Sequence, residues 1–199
     1  IAPSYVADIV VADDLNLSSI SQVYKNGKLV CENGTALFEC ETVDNSKVTN
    51  TVHLPKISAD FFKTDVKDKF DAIELIPESI ITKKVTVSYS DSLSKVCVIE
   101  RHHNLGTKGI GFVTNYGITN GAIATSIGHD SHNVIVIGDN DSDMALAVNT
   151  LGTSGGIAVC SEGKVIASMT LDIAGLMSVK SADEVTREHD NLYSAAKVL

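Results

Sequence analysis

The chain has 199 residues, 44% of them apolar and 21% charged, with 16 basic residues against 25 acidic ones and a formal charge of -9. This is ordinary globular composition, long enough for one full domain plus a smaller unit, and its acidic field argues against nucleic acid or an anionic membrane as partner. No run approaches the ~18 apolar residues of a spanning helix, and Ile1-Ala2-Pro3 lacks the basic region of a signal peptide, so a cytoplasmic enzyme is the expectation.

The chain opens in mid-pattern, without an initiator Met, as a fragment of a longer protein would. Val6 to Ala12, Gln22 to Tyr24 and Leu29 to Cys31 are apolar strand-like runs, and Asn26-Gly27 and Asn33-Gly34 provide the positive-φ pairs that tight hairpins need. Glu41 to Asn50 is polar and without period, so it reads as a linker with a boundary near residue 50. Further strands are expected at Ala72–Ile76, Lys84–Tyr89, Lys95–Glu100, Gly109–Val113, Ala122–Ile127 and Val134–Gly138, all rich in Val, Ile, Thr or Tyr. Asp141-Ser142-Asp143 supplies a cap and an acidic first turn for a helix through Met144–Val148, ended by Gly152 or Gly155. Gly156–Cys160 and Lys164–Met169 form a hairpin across Glu162-Gly163, and Ser181–Val198 closes the chain as an amphipathic helix. The predicted class is α+β, with a largely antiparallel sheet and flanking helices. Cys31, Cys40, Cys97 and Cys160 are widely spaced with no C-x-x-C, which favours buried reduced thiols over disulfides or zinc.

Two polar runs sit at strand ends, where a rigid base can project functional side chains. One is Glu100-Arg101-His102-His103, followed by the glycine-rich Gly106 to Gly111, which reads as a tight turn rather than a phosphate loop. The other is His129-Asp130-Ser131-His132-Asn133. Arg101, His102, His129, Asp130, His132 and Asn133 are therefore the candidate accessory site. Three readings of these residues stay open. His129 and His132 would be two ligands of a metal site, where catalytic zinc takes three. They would equally serve a loop that hydrogen-bonds the strand ends, with Asp130 and Asn133 stabilising turns. In the third, they form a surface that approaches a substrate or another domain. Asp139, Asp141 and Asp143 mimic the start of a calcium loop, but Met144 replaces its Gly, and helix capping accounts for them. The chain has neither G-x-S-x-G nor His-x-His.

Ile1 to Val11 with Val23 to Val30 resembles the last strands of the small β-sandwich that follows the barrel in amidohydrolase-superfamily enzymes. Asn50-Thr51-Val52-His53-Leu54, Ile76-Pro77, Ile80-Ile81-Thr82, Glu100-Arg101-His102-His103, Gly121-Ala122-Ile123-Ala124, His129 to Asn133, Asn140-Asp141, Asp143 to Ala147 and Ile173 to Ser178 resemble the C-terminal domain of bacterial-type adenine deaminases. The resemblance implies that residues 1–50 are terminal sandwich strands plus linker and 51–199 the C-terminal α+β domain, with the catalytic barrel absent. It implies a full-length hydrolase in which hydroxide on manganese or iron, held in the barrel, attacks C6 of adenine, giving hypoxanthine and ammonia in purine salvage. It further implies that this chain holds no metal or catalytic residue, that its partner is its own barrel, and that the enzyme is a homo-oligomer. The chain would then cover or shape the barrel's active site; the alternative is a purely structural or oligomerisation module. Asn104-Leu105 and Asp139 depart from the family pattern.

Overall fold

The computed structural model describes residues 2–39, 41, 43–65, 68–90 and 93–199, and divides into two compact units, Ile1–Asp44 and Asn45–Leu199. In the first unit β1 (Ile9–Ala12), β2 (Ile20–Lys25), β3 (Lys28–Glu32) and β4 (Thr35–Ala36) form one antiparallel sheet in sequence order. The two Asn-Gly pairs make the β2–β3 and β3–β4 turns: Asn26 and Gly27 have φ of 51° and 75°, Asn33 and Gly34 of 48° and 78°. Cys40 lies outside the described residues.

The second unit starts at Asn45, six residues before the expected start at residue 51, and part of the polar segment is tied into it: the Ala174 amide donates to the carbonyl of Val48 at 2.6 Å. Its strands are β5 (Phe70–Leu75), β6 (Thr82–Val87), β7 (Ser94–Ile99), β8 (Lys108–Thr114), β9 (Gly121–Gly128), β10 (Asn133–Gly138), β11 (Gly156–Ser161) and β12 (Lys164–Thr170). They form one eight-stranded sheet in the order β12-β11-β9-β10-β7-β8-β5-β6. The pairings are antiparallel except β5 with β8, where Ile73 faces Val113 and Glu74 faces Thr114 in parallel. The class is α+β, as the sequence predicts.

Two-residue periodicity sorts the side chains between the faces of this sheet. Cys97 and Ile99, Ala122 and Ala124, Val134 and Val136 point to one face and are buried with Met144, Ala147 and Val148 of α1 (Asp141–Thr150). A short 3-10 turn, Ala59–Phe62, completes this layer; Phe62 is fully buried, which contributes about 1.5–3 kcal/mol. On the opposite face Val159 and Met169 pack with Leu192 and Ala195 of α2 (Ala182–Ala196). Ser181 caps α2 in a reciprocal capping box with Glu184. Cys97 and Cys160 are buried inside strands, and burial pushes both thiols up to about 11, in Cys160 with help from the charge of Asp143.

Three local expectations are corrected. The N-cap of α1 is Asn140, not Asp141; its side-chain oxygen accepts from the Asp143 amide at 2.8 Å. Asp139 caps no helix, since its carboxylate takes the amides of Asn120 and Gly121 and so ties the start of β9. Gly109 and Gly111 lie inside β8, and the positive-φ positions of the preceding turn are Asn104 and Gly106.

Candidate functional site

The two polar runs meet at one end of the sheet. Arg101 follows β7, whose partner β10 begins at Asn133, so antiparallel pairing brings residues 100–102 beside the 129–133 loop. Arg101 itself is only 2% exposed. Its Nε donates to the carbonyl of His132, and its second terminal nitrogen donates to the carbonyl of Ala174 at 2.8 Å. Its own carbonyl accepts the His53 amide at 2.8 Å. The remaining guanidinium nitrogen, Nη1, is buried with no hydrogen-bond partner among the described residues. Burial lowers the pKa of Arg101, and among the described residues no carboxylate acts against that shift.

The 173–178 turn reaches this site because Ala174 and Gly175 both take positive φ, 56° and 70°, folding Ile173 back onto Met177. A Cβ on Gly175 would lie 2.7 Å from Arg101 Nη1 and 3.2 Å from Ser126 Oγ, so the turn approaches only because the residue is glycine. Ser126 is fully buried; its hydroxyl donates to Gly175 O at 2.6 Å and accepts from Gly156 N at 2.8 Å.

Outward from this base His102, His129, Asp130 and Ser131 are exposed, and His132 and Asn133 half-buried. His102 Nε2 contacts the carbonyl of Ser131 at 3.0 Å. His129 Nδ1 pairs with Asp130, their side chains 83% and 86% exposed. The rings of His129 and His132 stand edge to face with centroids 6.2 Å apart, while His132 Nδ1 and Asn133 Oδ1 are buried with no hydrogen-bond partner among the described residues. Within the loop Ser131 Oγ accepts the Asn133 amide at 3.4 Å. Glu100 anchors the other loop by accepting from the amides of His103 and Leu105 at 2.8 and 3.1 Å.

All six predicted residues thus fall at one end of the sheet, with Arg101 as its buried base and His129 and Asp130 at its surface. Among the described residues no group of three or more His, Cys, Asp or Glu is placed to hold a metal ion. Ser126, Ala174 and Gly175 are not among the six predicted site residues. Ser126 had a signal: it continues the two-residue register of Ala122 and Ala124 as the one polar member of a buried face.

Residues 74–199 match the family described as adenine deaminase C-terminal domain, and the chain belongs to that family. It is 39% identical, over its whole length, to adenine deaminase 2 of Carboxydothermus hydrogenoformans, covering 37% of that protein. It is 41% identical to the adenine deaminase of Clostridium acetobutylicum, over 93% of this chain and 35% of that one. With the adenine deaminase of Dehalococcoides mccartyi the identity is 36%, over 96% of this chain and 36% of the relative. The chain therefore spans little more than a third of the length of these curated relatives.

Proposed function

We propose that the chain is the C-terminal part of an adenine deaminase, an enzyme that hydrolyses adenine to hypoxanthine and ammonia, and that it serves the reaction without performing it. Water supplies the oxygen that replaces the C6 amine, and the nitrogen leaves as ammonia. The observation that carries the reading is the identity of 36–41% to three proteins named adenine deaminase, each matched over about a third of its length. Catalysis, and the manganese or iron it needs, is assigned to the remaining two thirds, in the barrel. The loops gathered around Arg101 are assigned to cover or shape that active site. His129 supports this role: an imidazole 83% exposed does little for folding but is available to a neighbouring domain.

Ammonia release from adenine, with manganese added, tests the proposal in the complete polypeptide that carries this chain and in the 199-residue chain alone. Turnover is expected only in the complete polypeptide. An inactive complete polypeptide would remove adenine as substrate, and turnover by the chain alone would overturn the division of labour. In the complete polypeptide, His129→Ala is expected to reduce turnover with unchanged thermal stability; normal turnover would favour a purely structural or oligomerisation module.

A further inference from the structure

A buried guanidinium without a carboxylate is a costly way to fill space, since an apolar side chain of similar volume would avoid its desolvation. What Arg101 supplies that an apolar residue does not is a rigid fork of donors. Nε and one terminal nitrogen reach carbonyls of His132 and Ala174, which belong to different loops. The side of the guanidinium that carries Nη1 rests against Gly175, where any Cβ would collide with it. Beside it, Ser126 holds the Gly175 carbonyl. The two loops bear the exposed side chains of this region: His129 and Asp130 on one, Met177 on the other, with Val179 just beyond it.

We propose that Arg101 is a positioning residue that fixes the 129–133 loop against the 173–178 turn, so that the two present a single face to the rest of the enzyme. The inference rests on the function proposed above and adds the residue that sets the geometry of the contact. Lysine retains the charge but offers one point donor instead of a fork, so it cannot hold both carbonyls in the same relative placement. Gly175 is the matching half of the arrangement: alanine there would push the guanidinium off its acceptors.

Arg101→Lys and Gly175→Ala, made in the complete polypeptide, test this with amide exchange and steady-state deamination of adenine. The reporters are the amides of His132, Ala174 and Met177, which donate to the carbonyls of Gly128, Val48 and Ile173. In both variants these amides are expected to exchange roughly ten-fold faster, while those of Ala124 and Val136, paired within the sheet, keep their protection. kcat is expected to fall by about ten- to a hundred-fold, as misplacement away from the chemistry does. Unchanged exchange in the two loops, or a uniform rise across the sheet, would overturn the positioning role. Loosened loops with unaltered kcat and KM would overturn the claim that this face meets the catalytic part. If the unmodified polypeptide does not deaminate adenine, the functional reading fails, while exchange still decides the role of Arg101.

Discussion

The Ser126 hydroxyl donates to the carbonyl of Gly175 across 49 residues of sequence and accepts the amide of Gly156. One buried oxygen therefore satisfies a donor at the start of β11 and an acceptor in the turn that covers Arg101. Ser126→Ala strands both backbone groups away from water, at a cost of about 1–3 kcal/mol. Urea unfolding should show the midpoint fall with an unchanged slope; an unchanged midpoint would mean that these groups find other partners.

Two glycines with positive φ should respond very differently to alanine. At Gly156, φ is 132°, and a Cβ would overlap the Met169 carbonyl oxygen and lie 3.0 Å from its carbon, so paired backbone would have to separate. Gly156→Ala is expected to cost about 4 kcal/mol or more. Gly163 has φ of 73° and nothing within 4 Å of the added carbon, so Gly163→Ala should cost only the strain of the left-handed conformation, about 1–2 kcal/mol. Thermal melts of the two variants check the contrast, which equal shifts would contradict.

Glu100 gives a pH dependence of definite sign. Burial raises the pKa of its carboxyl, but the amides of Leu105, His103 and His102 together outweigh burial and hold it below the ordinary 4.5. Because the folded value is depressed, the stabilisation of the 100–105 loop is fully present above pH 4.5 and is lost as pH falls through the lower folded value. The Glu100 carboxyl carbon and the Leu105 amide, followed by NMR, should titrate together below pH 4.5, and Glu100→Gln should abolish that response of Leu105. A common midpoint above 4.5 would refute this assignment.

Most of the strands were legible because alternating Val, Ile and Thr between turn residues leaves few other ways to fold. The Asn-Gly turns were legible because few residues tolerate their backbone. What the sequence concealed has local causes. Phe62 drives a 3-10 turn into the core from a segment too short to show a helical period. The parallel pairing of Ile73 with Val113 joins residues 40 positions apart, beyond the reach of any hairpin signal. Glycine density suggested a turn over Gly106–Gly111, but Asn104 supplies one of the left-handed positions, which leaves Gly109 and Gly111 free to extend β8. At the candidate site the residue types were visible, whereas their division into a buried base and an exposed rim was not. Arg101 and His102 are adjacent in sequence, and only the handoff from β7 to the loop decides which of them turns inward.

The bonds made by the Arg101 guanidinium span 31 and 73 residues of sequence, the second reaching past β12. Both contacts need distant parts of the chain to be brought together before they form. The joined face of the two loops is therefore a property of the finished domain: a domain whose last third is unfolded or clipped lacks it.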